Sequence, residues 1–108
     1  MDVSYANTKL AKLCTSVREM QRQLGAERAR RLQARLQQLK IADNLHELRT
    51  QAGRCHELTG DLDGLLALDL DHPYRLLIAP DPWQERPDGS LAWEQVTAVV
   101  VDSIDDYH

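Results

Sequence analysis

The apolar period of the chain changes at Gly53, and that change constrains the fold more than any other feature. Upstream, Leu10, Leu13, Cys14, Val17, Met20 and Leu24 recur at steps of three and four, which stacks side chains along one helical face. Asn7 stands where its side chain can accept from the orphan amides of a first turn. Gly25 is a natural stop, because glycine takes the left-handed backbone past a helix end. One helix is therefore predicted between Asn7 and Gly25. A second begins near Ala26, with Leu32, Leu36 and Leu39 as its stripe and Glu27 and Arg31 as an i,i+4 pair in the favourable order. Joined at a single glycine, the two form an antiparallel helical hairpin. Asp43 is the candidate cap of a further turn over residues 44–48.

Downstream of Gly53 the pattern is that of strands. Residues 54–58 form a short run bounded by the turn cluster Thr59, Gly60 and Asp61, and Asp63 with Gly64 signals a hairpin loop. Residues 65–70 are an apolar run suited to a central strand, and Asp71, His72 and Pro73 turn the chain. Residues 74–78 form the next strand, stopped by Pro80. Pro82, Pro87, Asp88 and Gly89 mark an irregular loop over 81–92. Residues 96–104 hold four Val and one Ile and are the most β-prone stretch. Val3 and Tyr5 suit a short first strand. The expected fold is α+β: two N-terminal helices packed on one face of a small, mostly antiparallel, twisted sheet. At 108 residues, the whole of 1–108 is expected to be one domain.

Composition narrows the class. With no Phe, the core falls to Leu and Val. No stretch approaches the ~20 apolar residues of a membrane span, and the N-terminus lacks the basic-then-apolar pattern of a secretory signal. Cys14 and Cys55 form no CxxC and suit reduced, buried thiols, so a cytoplasmic protein is expected. A disulfide between them is compatible with the sequence but not implied by it. Residues 1–54 carry 11 Lys and Arg against 5 Asp and Glu, a net of +6, whereas residues 55–108 carry 2 against 12, a net of -10. Such asymmetry fits either a charged partner or a solvated basic helix face.

Several site types are absent: there is no glycine-rich phosphate loop, no HExxH and no paired CxxC. Adjacent on a predicted strand, Cys55 and His56 point to opposite faces and cannot share a metal. No metal and no cofactor is expected. His56, Arg75 and the tail Asp106, Tyr107 and His108 remain, on strands that an antiparallel sheet can set side by side. Alternation places Arg54 on the face of His56. It also places Asp106 and His108 on one face, with Tyr107 opposite. Two His, a carboxylate, a phenol and an Arg suffice for metal-free RNA cleavage. That reaction needs a base for the 2′-hydroxyl proton, an acid for the leaving oxygen and a cation for the phosphorane charge. Histidine suits both proton roles, its unperturbed pKa being about 6.5. Each residue also has a structural reading. His56 fits a satisfied strand residue, Arg75 a brace for Asp69 or Asp71, Tyr107 a strand-end aromatic and His108 a frayed terminus.

At these positions the sequence resembles the RelE/ParE superfamily of bacterial type II toxins, in the HigB-like branch of plasmid-maintenance killer proteins. Residues 7–14 resemble the opening of that family's first helix. His56, Leu58, Gly60 and Asp61, followed by Tyr74 and Arg75, resemble its H-x-L-x-G-D and Y-R-hydrophobic pattern. Asp106, Tyr107 and His108 resemble its terminal D-Y-H. The resemblance spans nearly the whole chain and implies a ribosome-dependent mRNA endonuclease toxin that inhibits translation. A helix-turn-helix antitoxin would neutralise it, and it would meet operator DNA only through the antitoxin complex. It implies His56, Asp106, Tyr107 and His108 as catalytic residues and Arg75 as a phosphate contact, with Arg54 as a further substrate-binding residue. The chain departs from the pattern at Leu62, where the family has Arg, and at Leu65 and Leu66, where an aromatic is usual. These changes remove groups that hold phosphate or stack on a base. Two alternatives follow from the same resemblance: a non-enzymatic, ParE-like gyrase poison, and a weakened toxin retained for antitoxin and operator binding.

Overall fold

The computed structural model describes residues 1–106; Tyr107 and His108, two of the catalytic candidates, lie outside the described residues. Three α-helices, α1 (Thr8–Cys14), α2 (Val17–Leu24) and α3 (Ala26–Ile41), follow a first strand, β1 (Asp2–Tyr5). Four further strands follow among the described residues: β2 (His56–Glu57), β3 (Leu66–Asp69), β4 (Tyr74–Pro80) and β5 (Ala98–Asp106). No helix among the described residues is long and apolar enough to cross a membrane.

The single helix expected between Asn7 and Gly25 is two. Asn7 does cap α1, accepting from the Leu10 amide at 2.8 Å. The helix then stops at Thr15, whose hydroxyl donates back to the Ala11 carbonyl, and Ser16 caps α2 by accepting from the Glu19 amide at 3.2 Å. Ser followed three residues later by Glu is a helix-start signature, and here it overrides the continuous apolar stripe. The break leaves Leu13, Cys14 and Met20 buried but Val17 49% exposed. Gly25 joins α2 to α3 as expected, with φ of 81°. A 3₁₀ turn over Leu45–Thr50 follows α3, capped by Asn44 rather than Asp43. The Asp43 amide instead donates to the Glu47 carboxylate at 2.6 Å. The Met1 ammonium donates to the Leu39, Lys40 and Ala42 carbonyls, setting a positive charge against the carbonyl end of α3.

The sheet order is β1-β5-β4-β3-β2. Only β1 runs parallel to its neighbour β5; the other pairings are antiparallel. Leu66, Leu68, Leu76, Ile78, Val99 and Val101 form the main core with Leu32, Leu36 and Leu39 of α3. The register of β4 with β5 shifts between Leu77 and Ile78: Ile78 is opposite Val101 and Leu77 opposite Ser103. Asp102 is therefore the extra residue of a bulge, and beyond it the alternation of β5 is inverted. The strand predicted over 54–58 contracts to His56–Glu57, because Gly53 and Arg54 both have positive φ, 107° and 49°, which a strand cannot contain.

Candidate active site on the reverse face of the sheet

The site is built on the corner that precedes β2. The Gly53 carbonyl accepts from the Asp69 amide at 2.7 Å, and the Arg54 Nε donates to the Asp69 Oδ2 at 2.6 Å. Arg35 reaches the same corner from α3. It is 7% exposed, its Nε donates to the Asp69 carbonyl at 2.7 Å and its Nη1 to Gln38 at 2.9 Å. Burial, with the neighbouring Arg31 charge, pulls the Arg35 pKa below its ordinary value, against an opposing pull from Asp69. A basic residue in a run of helical charges ordinarily belongs to a solvated face, and Arg35 does not. The available signal was its place between Leu32 and Leu36, on the buried stripe.

His56 follows the corner. It is exposed, and its Nδ1 lies 2.6 Å from the Arg54 carbonyl oxygen. A carbonyl only accepts, so Nδ1 carries the ring proton and, in the neutral ring, Nε2 holds the lone pair. Cys55, the preceding residue, is buried, and burial pushes its thiol pKa up to about 12. Both cysteines are free, and among the described residues no group of metal-ligating side chains forms.

Register then fixes what shares the face of His56. His56 is opposite Ala67, which is opposite Leu77, which is opposite Ser103. These side chains lie on the side of the sheet away from the helices. Two residues further along, about 7 Å, runs the row Asp69, Arg75 and Asp105. Cross-strand opposite charges of this kind stabilise a sheet. Arg75 is 8% exposed and its Nε donates to the Asp105 Oδ2 at 2.9 Å. The carboxylate it braces is thus Asp105. Asp69 is taken by Arg54, and Asp71 by a two-pronged pair with Arg28 at 3.0 and 3.1 Å. Arg28 also stacks over the Tyr74 ring, fastening α3 to the β3–β4 turn. At the same end a small cleft of about 60 Å³ is bounded by Arg54, Asp69, His72 and Tyr74.

The structure brings Arg54, His56 and Arg75 to one end of one face. It does not bring Asp106 there. Asp106 is opposite Tyr74 and, next to Asp105 on β5, points to the helix side of the sheet. The bulge at Asp102 causes this inversion, and it makes Asp105 the β5 carboxylate that shares the face of His56. Trp93 is buried under Arg49, 4.3 Å from its ring centroid, so of the two tryptophans only Trp83 is available for stacking. Trp83 lines a groove of about 450 Å³ with Glu57, Asp63 and Glu85, whose charges oppose a polyanion.

These features define an α+β protein with a five-stranded mixed sheet and a histidine-arginine cluster on the face away from the helices. No protein-family model matches the sequence, and no curated protein matches it.

Proposed function

We propose that the protein is a RelE/ParE-type toxin of the HigB-like branch, a metal-independent endoribonuclease that cleaves mRNA on the ribosome. The observation that most supports this reading is the convergence of His56, Arg54, Arg75 and the end of β5 at one end of the reverse face. The chemistry is a transesterification. His56 takes the 2′-hydroxyl proton at Nε2, the 2′-oxygen attacks phosphorus, and the bond to the 5′-oxygen breaks as His108 supplies its proton. A cyclic phosphate and a 5′-hydroxyl result. Arg75, held by Asp105, is a fixed positive charge beneath the phosphate, and Tyr107 stacks on a base. Asp106, on the helix side, orients the chain end rather than touching substrate. The β2 and β5 strands are three spacings apart, about 14 Å, a gap that the side chains of the two proton-transfer groups have to close around one phosphate. The ribosome supplies the orientation that a face with so few cations cannot. The basic helical half binds an acidic segment of a helix-turn-helix antitoxin, and operator DNA is met only through that complex.

Mapping of mRNA 5′ ends after expression of wild type and His108→Ala tests the reading. New ends with wild type that vanish in the variant are expected; none with wild type, or equal numbers from both, would sink it. Gyrase-linked DNA breaks in place of RNA ends would mark the non-enzymatic relative.

A further inference from the structure

The corner at Gly53 and Arg54 holds a strained backbone in place. Arg54 has φ of 49°, a left-handed conformation that costs a side-chain-bearing residue appreciably and persists where its surroundings over-determine it. Asp69 contributes to that determination with three different groups. Its amide donates to the Gly53 carbonyl at 2.7 Å. Its carbonyl accepts from the buried Arg35 Nε at 2.7 Å. Its carboxylate accepts from the Arg54 Nε at 2.6 Å. Arg35 also closes the corner from behind, since a Cβ on Gly53 would stand 2.7 Å from its Nε. The conformation so held aims the Arg54 carbonyl at the Nδ1 of His56, 2.6 Å away.

We infer that Asp69, backed by Arg35, is a positioning residue that sets the tautomer of His56 through Arg54. The inference rests on the reading of His56 as the group that accepts the 2′-hydroxyl proton. A base at Nε2 needs the proton on Nδ1, the reverse of the form that an unconstrained histidine side chain favours. A hydrogen bond at one ring nitrogen fixes which nitrogen is basic. Here the acceptor is a main-chain carbonyl whose direction depends on a carboxylate one strand away. Asp69 touches neither substrate nor imidazole, so its effect passes through the backbone of Arg54.

The test reads the tautomer directly. The full chain is labelled with ¹⁵N, and long-range proton–nitrogen correlations are recorded at a pH where imidazole is neutral. His56→Gln assigns the signals by their loss. Wild type is expected in the Nδ1–H form. Asp69→Asn is expected to lower the ratio of Nδ1–H to Nε2–H by about tenfold, the effect of weakening one charge-assisted hydrogen bond. Arg54→Gly guards against misfolding of Asp69→Asn: glycine accepts the positive φ but lacks the tie to Asp69, and the same fall is expected. An Nε2–H form in wild type, or an unchanged ratio in folded Arg54→Gly, would overturn the inference. Wild-type RNA cleavage by His56→Ala would instead overturn the reading beneath it, so the two failures are distinct.

Discussion

Replacing Gly53 with alanine measures the clamp at the base of the site. Two costs are separable. Gly53 has φ of 107°, and an L-residue with positive φ costs about 1–2 kcal/mol. The new Cβ would also lie 2.7 Å from the Arg35 Nε and 3.0 Å from its Cδ. Arg35 is buried, so it can yield only by leaving the Asp69 carbonyl, a charge-assisted hydrogen bond worth about 1.5–3 kcal/mol. The expected loss is about 2.5–5 kcal/mol. Gly64 is the internal control, because its φ is 92° but nothing lies within 4 Å of a Cβ built there. Gly64→Ala should lose only the backbone part, about 1–2 kcal/mol. Urea unfolding followed by the fluorescence of buried Trp93 gives both values, with unchanged m-values. Combining Gly53→Ala with Arg35→Ala should give less than the sum of the single losses, because both remove the same bond. Equal losses for Gly53→Ala and Gly64→Ala would refute the claim that Arg35 braces the corner.

Arg28→Ala should destabilise by about 2–3 kcal/mol, since it removes the paired bonds to Asp71 and the stack on Tyr74 at a site only 23% and 25% exposed; Arg28→Lys, lacking the planar fork, should recover little of it in the same urea assay. Ser16→Ala removes the cap that starts α2 and should cost about 1 kcal/mol in thermal unfolding. Stability should fall above pH 9. Burial raises the Cys14 pKa to about 11 and the Cys55 pKa to about 12. The unfolded thiols therefore ionise first, from about pH 9, and their contribution, complete below that pH, is lost as pH rises through the folded values. Each thiol contributes a slope of about 1.4 kcal/mol per pH unit in its window, and Cys14→Ala with Cys55→Ala should flatten the denaturation profile over that range.

Much of the fold was legible because periodicity reports local burial. The β1 strand, the start of α3 at Ala26 and the two central strands follow from apolar spacing, and α2 turns into α3 at Gly25 as expected. The helix break at Ser16 was also written in the sequence, as Ser16 followed by Glu19, but the longer apolar stripe competed with it. What was not legible depends on contacts distant along the chain. Arg35 is buried because Gly53 and Asp69 receive it, and neither neighbours it in sequence. The bulge at Asp102 is a matter of pairing with Leu77 and Ile78, and alternation counted along β5 alone misses the inversion it causes. That inversion exchanges Asp106 for Asp105 on the reverse face. His56 and Arg75 stood out in the sequence as candidates, but the row of paired charges around Arg75 emerges only from the register of three strands.

The central claim is that His56 takes a proton in RNA cleavage, and purified ribosomes programmed with a defined mRNA test it most directly. Wild type should cut the bound message, leaving cyclic phosphate on one fragment and a 5′-hydroxyl on the other. His56→Ala should cut at least about 100-fold more slowly, the usual worth of a positioned proton acceptor. Intact message with wild type, or equal rates for the two proteins, would contradict the account.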